Sequence, residues 1–178
     1  MKAQTFLEYY LSLIVFAIFA TYIFFQVALV LPSHEREIKT QILQAEAYQM
    51  SELLITDAGE PSDWNTKTCD QTDCSQVLRI GLLDQSQMKT NFLLQQKIDQ
   101  LNSICNTPSI GAGYETIRAK LNTADYVSII IVDKSTNSVV SCLPQLAPTP
   151  IVQANMTRLV AVQTSTGVDV AELTIGVW

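Results

Sequence analysis

From Phe6 to Leu31 the chain carries neither proline nor glycine, and its one charged side chain there is Glu8. The run exceeds the roughly 20 residues that an α-helix needs to cross a bilayer. A secretory signal peptide has a shorter apolar core, about 7–15 residues, with a small-residue cleavage site behind it. Here the run ends ALVLPSHERE, without such a site. The expectation is therefore a retained membrane anchor. Lys2 and the amino terminus are positive, so they are expected inside and the body outside. Glu8 is the oddity. A carboxylate at the bilayer centre costs about 2.5–3.5 kcal/mol, and less near the edge. It needs either the headgroup layer or a positive partner, such as a free amino terminus.

The remainder reads as an ordinary soluble mixture. The chain has 178 residues, which fits one compact domain behind one long helix. Charged residues make up 16% of it, against about 25% in a typical soluble domain. The deficit lies in the apolar run, because Glu8 is the only charge between Lys2 and His34. The formal charge is -6 and the basic residues are scattered. A phosphate-binding face needs clustered Lys and Arg, so no nucleic-acid partner is expected.

All four cysteines, Cys69, Cys74, Cys105 and Cys142, follow the apolar run. In an extracytoplasmic domain an even count points to disulfides, and four cysteines allow three connectivities. Local closure of CDQTDC favours Cys69–Cys74, which leaves Cys105–Cys142. A four-cysteine zinc site would normally show a tighter CxxC first pair, so no metal is expected.

Beyond Pro32, the stretch EREIKTQILQAEAYQMSELLITDAGEPSDW has apolar residues at Leu43, Ala47, Met50 and Leu54. Steps of four, three and four place them on one helical face. Pro32 either kinks one continuous helix or opens a second one. Gly59 suits a C-cap and Pro61 a stop. The organisation expected is a leader over 1–3, a transmembrane helix over 4–31, an amphipathic helix over 32–58 and an extracytoplasmic α+β domain over 59–178. GEPSDWNTKTCDQTDCS reads as loop, with Trp64 packed at the domain edge. VLRIGLLDQ reads as a short strand or linker. Phe92, Leu93, Ile98 and Leu101 suit a short helix, and Ile117 with Leu121 another.

The period then changes. DYVSIIIVDKSTNSVVSCL holds two β-branched runs around a Lys134–Asn137 turn. After the breaker-rich LAPTP, the stretch MTRLVAVQTSTGVDVAELTIGVW suggests two more strands, turning at Thr166-Gly167. The fold class is α+β, with short helices and a C-terminal antiparallel sheet of about four strands. The amphipathic helix is the expected cover for one sheet face.

No catalytic constellation is visible. His34 stands alone at the membrane boundary, and Ser135, Ser138 and Ser141 have no histidine to activate them. GxSxG, P-loop and HExxH motifs are absent. Glu60, Asp63, Asp70 and Asp73 lack the spacing of a calcium loop. The chain is not expected to be an enzyme or to hold a cofactor. Asn155-Met156-Thr157 is an N-glycosylation acceptor pattern.

KAQTFLEYYLSLIVFAIF resembles the archaeal type IV pilin-like proteins with a class III signal sequence. AEAYQMSELLITDAGEPSDWN and the later IGLLDQ, KIDQLN and YETIR also look like membrane-anchored archaeal proteins of this group. The likeness is good over Lys2–Phe25, looser to Arg118 and weak through the strands. It implies a positive leader containing Lys2, cut by a prepilin peptidase between Ala3 and Gln4. Glu8 is then the fifth mature residue. Its implied role is to pair with the new amino terminus of Gln4 on a neighbouring copy and so set axial register. The implied function is a structural subunit, major or minor, of a surface filament. It would sit in the membrane before assembly and on the outside of the cell afterwards. The alternative is an anchored extracytoplasmic binding domain that does not polymerise.

Overall fold

A computed structural model describes residues 2–67, 69, 74–86, 89–106, 112–145, 152–165 and 167–178; of residues 2–7, 30–33 and 112 it describes the backbone. The side chains of Ala3, Gln4 and Pro32 lie outside the described part. So do the loop acids Asp70 and Asp73, the LAPTP connection and Thr166 of the last turn.

The chain is α+β. A single helix, α1, runs Lys2–Thr56 and continues through Pro32 without a break. The chain divides into two compact units, Met1–Lys39 and Thr40–Trp178. In the first unit the large apolar side chains between Tyr9 and Leu29 are exposed, up to 73% at Leu29. In the second unit α1 behaves as its periodicity predicts: Leu43, Ala47, Met50 and Leu54 are all buried.

The helix ends at Thr56, and Gly59 opens a strand rather than capping the helix. Strand β1, Gly59–Glu60, pairs antiparallel with β2, Arg79–Ile80. Gly59 has φ +85°, and a Cβ there would lie 2.5 Å from Trp64 Cδ1. Glycine is needed for both the dihedral and the close approach. The neighbour it admits corrects the sequence reading: Trp64 is not at the domain edge but fully buried. A 3₁₀ turn over Trp64–Thr66 carries it inward, and its indole N–H donates to Gly81 O at 2.8 Å. That bond satisfies the one polar atom of a large apolar group.

A second correction concerns Phe92 and Leu93. They form β3, Phe92–Leu94, and helix α2 begins only at Gln95, running to Cys105. Asn91 at φ 68° turns the chain ahead of them. β3 pairs parallel with the later strand β6, Ala154–Gln163, while Leu94 N–H donates to Leu82 O at 2.9 Å on its other side. With backbone partners on both edges, extended structure prevails over local helical spacing. Helix α3 spans Ala112–Lys120.

The remaining strands are β4, Val127–Asp133, β5, Val139–Cys142, and β7, Val168–Val177. Among the described residues the sheet has five strands in the order β3-β6-β7-β4-β5 and is mixed, because of the parallel β3–β6 pair, rather than four-stranded and antiparallel. The β4–β5 turn is held by Asp133, whose carboxylate accepts from the Ser135 hydroxyl and amide and from the Thr136 hydroxyl. Those bonds, led by the Ser135 hydroxyl, hold its pKa at about 2.

Strand alternation gives the sheet two unlike faces. Val160, Val162, Ala171, Leu173, Ile175, Ile129 and Ile131 are buried on one side. That side meets α1, since Arg158 of β6 reaches Ser51, Glu52 and Tyr48. The other side is the more open one among the described residues: Asn155, Thr157 and Leu159 of β6 are exposed, as are Val168 and Val170 of β7, while Ser128 and Gly176 are buried.

Candidate functional site

The sequence motif lies at the start of α1. Ala3, Gln4 and Glu8 are all on this helix. Gln4 and Glu8 are four residues apart, so one sits a turn above the other on one side of it. Glu8 is exposed, and Tyr9 and Tyr10 follow it, also exposed. Further along, Leu13, Ile14, Ala17, Ile18 and Thr21 line a shallow apolar depression. Its one polar side chain, Thr21, donates to Ala17 O at 2.7 Å. Its hydroxyl is therefore satisfied within the helix, as an apolar surrounding requires. The window of α1 that is long and apolar enough to cross a membrane is not buried anywhere within the chain. A soluble core helix of that composition would be covered.

The body holds the other predicted residues. Cys69 is bonded to Cys74, and Cys105 at the end of α2 to Cys142 at the end of β5. The second bridge ties a helix to the sheet edge across a separation of 37 residues. Asn155 lies near the start of β6 on the open face. These residues belong to the second unit, and Ala3, Gln4 and Glu8 to the first.

Two polar constellations in the body escaped the sequence reading. Lys97 of α2 is 2% exposed, and its ammonium donates to Ala58 O at 2.6 Å and Leu83 O at 2.9 Å. Burial lowers its pKa, while the charges of Asp84, Asp57 and Asp63 oppose that shift. It pins the α1–β1 junction and the β2–β3 connection to one helix. The sequence signal was a charge on the apolar stripe of α2, beside Ile98 and ahead of Leu101 and Ile104. Arg158 is the other: it occupies an inward position of β6 between Met156 and Val160.

A cleft of about 210 Å³ lies beside α1, lined by Glu46, Gln49, Met50, Leu53, Leu121 and Asn122. Burial raises the pKa of Glu46, the Thr123 hydroxyl lowers it, and contact with Asp125 raises it again. The Thr123 hydroxyl donates to Glu46 Oε1 at 2.6 Å, so the acid is engaged in joining α1 to the loop after α3. Among the described residues no group of three or more His, Cys, Asp or Glu is arranged to hold a metal ion. His34 is exposed.

No protein-family model matches the chain, and no curated protein or solved structure matches it either.

Proposed function

We propose that this chain is a structural subunit, major or minor, of an archaeal type IV pilus-like surface filament. Peptidase cleavage of the Ala3–Gln4 bond would free the α1 amino terminus. Assembly would then proceed by packing α1 against α1 of neighbouring copies. The observation that carries the reading is the placement of Glu8. It is the one carboxylate in the apolar stretch of α1 from Phe6 to Leu31, where the large apolar side chains between Tyr9 and Leu29 are exposed, and it follows Gln4 by one helical turn. In a dry helical bundle an isolated carboxylate is costly, and a neighbour's α-ammonium is the partner that cleavage would create. Two disulfides in the body fit an oxidising compartment, and hence a body outside the cell.

The non-polymerising anchor shares the same body and differs only in the meaning of the first turn of α1. Amino-terminal sequencing of protein taken from the native cell surface separates the two. The filament reading expects Gln4 as the first residue; Met1 on assembled protein overturns it.

A further inference from the structure

We propose that Asn155 carries an N-linked oligosaccharide, displayed on the open face of the sheet. The tripeptide Asn155-Met156-Thr157 supplies the acceptor amide and the required hydroxyl two residues on. The tripeptide alone is a weak signal, so placement decides the matter. Here β6 is extended, and the period of two puts Asn155 and Thr157 on the same side. Both are exposed, while Met156 between them turns to the covered side and is half-buried. The acceptor and its hydroxyl therefore share the face on which Leu159, Val168 and Val170 are exposed too.

Asn155 is itself exposed, above a closely packed patch in which Gly176 and Ser128 are buried. The cross-strand neighbour of Asn155 is Gly176, and the residue beyond it on β4 is Ser128. A Cβ at Gly176 would lie 2.6 Å from Asn155 Oδ1 and 2.5 Å from Ser128 Oγ, so the absence of a side chain there is what lets Asn155 lie across β7. Asn155 Oδ1 accepts from Gln153 Nε2 at 3.0 Å. The carbonyl end of the amide is thus held close to the sheet, and Nδ2 is the end that takes the sugar. Thr157 Oγ1 shares a 3.1 Å hydrogen bond with Thr174 Oγ1 on the same face.

The chemistry needs a transferase and a polyprenyl-phosphate-linked sugar outside the membrane. A bond forms between Nδ2 and the sugar C1, the C1–O bond to the lipid phosphate breaks, and one Nδ2 proton leaves with the transferase base. The proposal rests on the body being extracytoplasmic, as in the reading above, and not on polymerisation.

The test is peptide mass mapping of the full chain purified from its native membrane, with Asn155→Gln, Thr157→Ala and Thr157→Ser made in the same host. Wild type and Thr157→Ser should carry added sugar mass on the peptide containing Asn155, and the other two variants none. The Thr157→Ser control keeps the hydroxyl, so a general folding defect does not mimic the result. An unmodified Asn155 in the wild type overturns the proposal, as does sugar that persists in Thr157→Ala. Non-reducing mapping of the same sample separates the two levels of failure. A linked Cys105–Cys142 with bare Asn155 removes the glycan alone. Free thiols with bare Asn155 remove the extracytoplasmic body as well.

Discussion

Arg158 of β6 donates from Nε to Ser51 Oγ of α1 at 2.9 Å, joining residues 107 positions apart in the chain. Ser51 in turn donates to Tyr48 O at 2.7 Å, and the Arg158 guanidinium carbon stands 4.7 Å from the centre of the Tyr48 ring. Arg158 Nη2 lies 2.9 Å from Glu52 Oε2 but out of line for a hydrogen bond. One half-buried arginine therefore fixes how the second half of α1 lies on the sheet.

Replacing Arg158 by Met should destabilise the body by about 1–3 kcal/mol, the range for losing a charged donor and a cation–π contact at a partly buried site. Arg158→Lys should recover only part of this, because the Nε donor is lost. Glu52→Gln should cost less than about 1 kcal/mol, since Glu52 is 44% exposed and water screens the pair. Urea unfolding of the detergent-solubilised chain, followed by fluorescence of the buried Trp64, measures all three. An equal effect for Glu52→Gln and Arg158→Met would show that the ion pair, and not the serine and tyrosine contacts, holds α1.

Lys97 gives a pH dependence with a definite sign. Its folded pKa is lowered from 10.5, mainly by burial. Between the folded value and 10.5 the unfolded chain binds more protons, so stability from this group rises with pH across that window. The buried charge opposes folding fully below the folded pKa. Tyr114, whose pKa burial raises above 10.0, contributes with the opposite sign at high pH. Comparing wild type with Lys97→Met cancels that contribution. Lys97→Met should be the less stable protein at pH 8, because Ala58 O and Leu83 O lose their donor, and the gap should widen as pH rises toward 10.5. A gap that stays flat or narrows contradicts the assignment.

The two disulfides should differ in worth. On chain-entropy grounds, closing the separation of 37 residues between Cys105 and Cys142 stabilises by about 4 kcal/mol, and closing the separation of 5 between Cys69 and Cys74 by about 2 kcal/mol. The double serine variant of the first pair should therefore lose more stability in urea than that of the second. The reverse order would mean that the short loop, and not the α2–β5 link, carries the body.

Glu8→Ala should leave cleavage at Ala3–Gln4 intact while filament yield falls at least tenfold, read by electron microscopy of sheared cells and by mass of the membrane pool. Glu8→Asp should recover part of the yield, since it keeps the charge on a shorter arm. Normal filaments from Glu8→Ala would remove the pairing role from this residue.

Much of this architecture is written in local sequence. The apolar run predicts α1, and the four-three-four spacing of Leu43, Ala47, Met50 and Leu54 predicts its buried face. Lys134–Asn137 between two β-branched runs predicts the β4–β5 hairpin, whose turn Asp133 holds with hydrogen bonds to residues two and three ahead. Gln4 and Glu8 lie on α1, as their place at the head of the apolar run predicts. Each of these is an interaction among near neighbours, so the residues alone determine it. Tertiary structure decided the rest. Phe92–Leu94 is a strand because β6 and Leu82 supply its backbone partners. Trp64 is core because Gly59 leaves it space and Gly81 an acceptor. Lys97 and Arg158 point inward because distant carbonyls and a distant serine receive them. In every such case the stabilising partner is remote in sequence, and no local pattern encodes where the folded chain will bring it.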